Sequence, residues 1–189
     1  MPRTLINLIL DWGLDPGAGT RRVSVEVDHA VVGEGYGTQP NTFHGLYHWT
    51  FMSSLPDSVA SFELKARGQQ PPDSHSYDVF SGTPQVSLGQ LTDHSVQMFS
   101  GSSVSGECSA GHFEIKEPFL AQVKDGLNLG RSRTFQLAGH PQGEIRFNSS
   151  PGINDIDIDF ESPFNANPEV RAVLVASVLL LYKGIEHYD

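Results

Sequence analysis

The chain has one cysteine, Cys108, and few basic residues. A single thiol excludes an internal disulfide framework, which fits a reducing compartment, and a chain of 189 residues buries enough surface to fold without cross-links or metals. Lys and Arg total 12 against 22 Asp and Glu, giving a net charge of −10. Nucleic acid is held through a basic surface, so it is not expected as a partner. Long apolar runs are scarce as well. "LINLIL" near the start is broken by Asn7 and stopped at Asp11, with no small-residue cleavage site behind it. It fits neither a signal peptide nor a bilayer span, and a cytoplasmic or other intracellular location is expected. Helical patterning is missing from the first 160 residues, which carry 18 of the 19 glycines and 10 of the 12 prolines.

Short β-prone runs fill that region, separated by turn-forming residues. They are 3–10, 21–32, 44–52, 58–66, 76–80, 85–91, 94–99, 111–117, 119–125, 133–139, 143–148 and 154–160. Val23, Val25 and Val27 alternate with Ser24, Glu26 and Asp28, the period-two pattern of a strand with one wet face. The stretches "DPGAG", "KDGLNLG" and "GHPQG" supply turns, and "GQQPPDSHS" (68–76) suits a long loop. No repeat or boundary divides the chain, so residues 1–189 are expected to form one β domain.

The end of the chain is different. In "NPEVRAVLVASVLLLYKG" (167–184), Ser177 is the one polar residue between Ala172 and Tyr182. Asn167 suits an N-cap, Pro168 the first helical position, Glu169 the positive end of the helix dipole and Gly184 a stop. A helix over 168–183 is predicted, about 24 Å long and too short to span a bilayer. A helix apolar on every side needs apolar neighbours on every side. The expected fold is a closed antiparallel barrel of about twelve short strands around this helix. A β-sandwich or jelly roll with a packed terminal helix is the alternative.

The segment "DIDIDFESPFNANPEVRAVLVASVLLLYKGIEHYD" resembles the C-terminal end of phospholipid scramblases and LURP-one-related proteins, members of the tubby-like superfamily. They share a short acidic/apolar strand, a few loop residues, a uniformly apolar helix and an acidic tail. The resemblance covers about 35 residues and implies a twelve-stranded barrel around a central helix. It implies a binding role toward a protein partner or a lipid head group.

Few residues suggest chemistry. Asp155, Asp157 and Asp159 fall on one face of a strand about 6.8 Å apart, with Ile156, Ile158 and Phe160 on the other. Such acids repel unless cations or basic cross-strand partners relieve them, so they are the candidate calcium ligands. The resemblance also implies calcium here, but after Phe160 come Glu161 and "SPFNAN", with no further carboxylate before Glu169 and no calcium-loop glycine. Arg131 and Arg133, after a Gly-rich turn, are the candidate anion-binding pair. His44 and His48 lie about 13 Å apart along one strand, too far for a shared ion. "GSSVSG" departs from the nucleophile-elbow pattern at Ser105. "VVGEGYGTQPN" (31–41) lacks the Lys-Ser/Thr ending of a phosphate loop and is expected to be a flexible turn. "FHGLYHWTF" (43–51) is a core strand or a ligand-facing one. No cofactor and no catalytic residue is predicted. The expected function is a non-enzymatic binding module. A coat or scaffold subunit with an acidic surface and a β-barrel enzyme are the alternatives.

Overall fold

Turn residues and alternating apolar residues divide the chain into a mainly β, antiparallel sheet with one C-terminal helix. A computed structural model describes residues 4–11, 20–38, 46–68, 74–94, 103–116, 132–137, 143–150, 153–160 and 167–186. The strands are β1 (Thr4–Asp11), β2 (Thr20–Val27), β3 (Ala30–Thr38), β4 (His48–Ser53), β5 (Phe62–Ala66) and β6 (His75–Ser81). β7 (Ser87–Asp93), β8 (Ser103–Cys108), β9 (Gly111–Lys116), β10 (Ser132–Leu137), β11 (Gly143–Ser150) and β12 (Ile153–Phe160) follow, then helix α1 (Pro168–Glu186). Each strand pairs with its neighbours in sequence, and β1 also pairs with β12 along its whole length. The β9–β10 pairing is the shortest, joining Gln136 to Lys116 and Leu137 to Ile115.

Alternation decides what each strand contributes. Ile6, Leu8 and Leu10 of β1 share the buried face with Val23 and Val25 of β2 and with Ile156 and Ile158 of β12. These side chains form one core with α1, whose residues from Ala172 to Leu181 are all buried. The helix runs closest to β7 and β8. Ser177, the polar residue inside it, donates its hydroxyl to the Val173 carbonyl at 2.7 Å, so its burial leaves no orphaned group.

The start of α1 is fixed as its sequence predicts. Asn167 Oδ1 accepts the Val170 N–H at 2.7 Å, and the Asn167 carbonyl accepts the Arg171 N–H at 3.0 Å. The Ala60 N–H donates to the Pro168 carbonyl at 3.0 Å, and Arg171 Nη1 donates to the Ser58 carbonyl at 2.9 Å, tying the helix to the β4–β5 connection. Asn167→Ala should therefore lower stability by about 1 kcal/mol, measured by urea unfolding. The far end departs from expectation: the helix continues through Gly184 to Glu186. Glycine in a last turn weakens a helix but does not oblige it to stop.

Three details of the sheet differ from the sequence reading. Residues 21–32 are not one run but a hairpin: Asp28 and His29 take φ of 50° and 69° between β2 and β3. A tight two-residue hairpin turn requires both central residues to be left-handed, and here two non-glycine residues take that conformation. The stretch 31–41 is not a flexible turn over its described part, because β3 runs to Thr38. Gly33, Gly35 and Gly37 face inward there: a Cβ on Gly37 would lie 2.3 Å from the Trp49 ring, and one on Gly33 would lie 2.5 Å from the Phe51 ring. Lastly, β8 forms within the Ser/Gly-rich run around Cys108 that carried no strand signal. Runs 94–99 and 119–125 fall, apart from His94, outside the described residues.

Two β-bulges shift the alternation. Val25 pairs with Gly33 and Glu26 with Val31, so Val32 is an extra residue in β3 and lies buried beside Gly33. Val79 pairs with Gly89 and Phe80 with Ser87, which makes Leu88 the extra residue in β7. Leu88 and Gly89 are then both buried, and every later inward position in β7 changes parity.

Candidate functional site

The antiparallel order places the connections 12–19, 39–47, 67–74, 94–102 and 117–131 at strand ends on one side of the sheet. The opposite side has the two-residue turns at 28–29 and 109–110 and the entry to α1. Long connections on a packed scaffold are where binding groups collect. The core beneath them is also unusual. Tyr47, Trp49, His75, Tyr77 and Asp93 are all buried at the ends of β4, β6 and β7 nearest these connections. Among the described side chains, the remaining buried strand residues are apolar apart from glycines.

This polar end has a definite electrostatic character. Asp93 stands directly opposite His75 in the β6–β7 register, and Tyr77 stands between Ala66 and Leu91. Burial pushes the Tyr77 phenol well above its ordinary range, with the nearby Asp93 adding to the shift, so the hydroxyl stays protonated. Trp49 Nε1 and the Tyr77 hydroxyl are buried with no acceptor for their protons among the described residues, while the Tyr47 backbone lies close enough to Tyr77 Oη to oppose the upward shift.

The sequence pattern conceals this site. In "HSYDVF", His75, Tyr77 and Val79 do alternate on one face, but two polar residues among them read as a wet face. Asp93 is hidden by the bulge at Leu88: uninterrupted alternation from Leu88 would turn Gly89, Leu91 and Asp93 outward.

The predicted calcium ligands lie elsewhere, in β12, where Asp157 and Asp159 are on the outer side. Ile156 and Ile158 are fully buried and Asp157 and Asp159 half-buried, as the alternation implies. The Asn7 side-chain amide donates to Asp157 Oδ1 at 2.8 Å, while Asn7 Oδ1 is buried without a partner among the described residues. Arg146 stands opposite Asp157 across β11–β12, Glu144 opposite Asp159 and Asn148 opposite Asp155. A basic cross-strand neighbour is thus in register with the middle acid. Of Asp155 only the backbone is described. Among the described residues no three His, Cys, Asp or Glu side chains come together as a metal site.

The candidate anion-binding pair is not assembled in the described part. Arg131 lies outside the described residues, and Arg133 is described by its backbone alone, opposite Phe147 in β10–β11. His44 is likewise outside. His48 is on the outer face, where its Nε2 lies 2.8 Å from Glu63 Oε1. Lys65 Nζ reaches the other Glu63 oxygen at 2.9 Å, and Gln85 donates to the same oxygen at 2.9 Å. Lys65 and then His48 hold the Glu63 carboxyl below its usual range against its partial desolvation. Arg67 grips Asp78 with Nε at 2.9 Å and Nη2 at 2.6 Å, which raises the Arg67 value further. These exposed cross-strand pairs satisfy one another and contribute little to stability. The aromatic strand is core: Tyr47, Trp49 and Phe51 face inward, and Phe51 stacks on Phe62 at 5.4 Å. Cys108, at the end of β8, is half-buried, and desolvation raises its thiol above the usual range, which makes it a poor nucleophile.

Comparison with family models, with curated proteins and with solved structures finds no match for this chain. Among the described residues, no helix is long and apolar enough to cross a membrane.

Proposed function

We propose that the chain is a non-enzymatic binding module, a closed tubby-like β-barrel filled by α1, and that it engages a protein partner carrying basic residues. The observation that carries this reading is the burial of α1 from Ala172 to Leu181 in the same core as the inward strand residues. A core packed by a helix serves as scaffold and leaves recognition to the outer faces and connections. Pairing of β1 with both β2 and β12 supports closure of the barrel. The net charge of −10 and the acids on β12 favour a basic partner over an anionic lipid head group. In this reading calcium is an optional bridge from the β12 acids to an anionic surface, and an intracellular setting is proposed from the single thiol.

Binding to an immobilised Lys/Arg-rich peptide tests the proposal. Joint substitution Asp155→Asn, Asp157→Asn and Asp159→Asn should weaken binding about tenfold at low salt. Removing three charges elsewhere, by Asp57→Asn, Glu107→Gln and Glu114→Gln, should have a much smaller effect. Equal losses from the two sets would reduce the interaction to net charge and defeat the proposal. So would flotation of the protein with phosphatidylserine vesicles in the absence of calcium.

A second reading, a subunit of a homomeric assembly, is favoured by the exposed apolar Val31, Met52 and Leu55 beside the β3–β4 pairing. A monomer at every concentration in light scattering removes it.

A further inference from the structure

We propose that the polar end of the core, at Trp49 and Tyr77, is a binding site for a neutral oxygen acceptor: a carbonyl, ether or hydroxyl oxygen of a small molecule, or ordered water. This site is internal and does not depend on the outer-face partner proposed above. Trp49 is 2 % exposed and Tyr77 fully buried, and both face inward from strands on either side of β5. Indole Nε1 can only donate. The Tyr77 hydroxyl, kept protonated by burial and by Asp93, also has a proton to donate. Neither finds an acceptor among the described residues. A buried donor without an acceptor is strongly disfavoured, and native cores place such donors where something accepts from them.

The surroundings narrow the chemistry. Asp93, buried opposite His75, opposes an anionic occupant such as a carboxylate or phosphate. Ala66 occupies the register position opposite Tyr77 on β5, while Gly37 on β3 is covered by the Trp49 ring itself. The long connections leave the strands at this same end, where a mouth of a barrel receives its ligand. An aromatic-walled end of the core with two buried donors suits neutral oxygen acceptors.

Tyr77→Phe removes the hydroxyl and leaves the ring. With an acceptor in place, the substitution should lower the folding equilibrium constant about five- to tenfold. It should also shift the Trp49 indole N–H proton resonance. The measurement is made on protein as purified and again after unfolding and refolding in buffer. Loss of stability in both preparations, with the Trp49 resonance shifted, identifies water as the acceptor; the same loss with Trp49 unchanged reports only the Tyr47 backbone contact and overturns the proposal. Loss confined to the purified preparation, with an added small-molecule mass in its native mass spectrum, identifies an organic ligand. A folding constant that is unchanged or higher for Tyr77→Phe in both preparations overturns the proposal, because deleting an orphaned buried hydroxyl is neutral or stabilising.

Discussion

Val175→Asp is expected to abolish cooperative folding. Val175 is fully buried midway along α1, with Val173, Leu174, Ala176 and Val178 buried around it. Among the described core residues the one basic side chain is His75, which stands opposite Asp93 at the polar end. A carboxylate at position 175 would therefore be held unpaired, at a cost of several kcal/mol. That is comparable with the whole stability of a typical domain, about 5–15 kcal/mol. Val175→Ala supplies the comparison: it deletes two methyl groups, costs about 2 kcal/mol, and should still unfold cooperatively. Circular dichroism during a urea titration separates the cases. A soluble Val175→Asp protein with a cooperative transition would contradict an encased helix.

Gly89→Ala is expected to have the second-largest effect. The β7 bulge turns Gly89 inward where α1 passes closest, and a Cβ at that position would lie 2.6 Å from the Glu107 carbonyl oxygen. It would also press on both Val173 methyl groups, at 3.1 and 3.3 Å. The first contact is with backbone paired between β7 and β8, so no rotamer change relieves it. Moving strand or helix should cost about 2–3 kcal/mol and lower Tm by roughly 4–12 °C for a chain of this size. The double variant Gly89→Ala/Val173→Ala should regain only part of this loss, since the carbonyl contact persists. Full recovery would locate the strain at the helix instead of the strand.

Both predictions rest on features of unequal visibility in the sequence. The helix could be read from Asn167 and Pro168, whose roles are local, and from an apolar run that excludes any exposed face. Most strands could be read as well, since β1, β2 and β12 alternate without interruption. Gly89 could not. Its importance comes from Leu88, an extra residue whose presence depends on how β6 and β7 are paired. The same bulge turns Asp93 into the core, so the polar end is hidden in the sequence while Asp155, Asp157 and Asp159 are conspicuous. Those acids stand out because simple alternation gathers them on one outer face. Similarly, "GEGYG" looks like a flexible turn until Trp49 and Phe51 from the next strand are seen to cover its glycines.

Local patterning determined the mainly β class, the C-terminal helix and its N-cap, and the outward placing of Asp157 and Asp159 on β12. These follow from period-two alternation and capping, which involve residues close together in the chain. Only the tertiary structure decided the pairing of β1 with β12, the two bulges, the cover over the β3 glycines and the convergence of Tyr47, Trp49, His75, Tyr77 and Asp93 at one end of the core. Each depends on strand register, and register is set by partners far apart in sequence: a shift of one residue turns every later side chain to the opposite face.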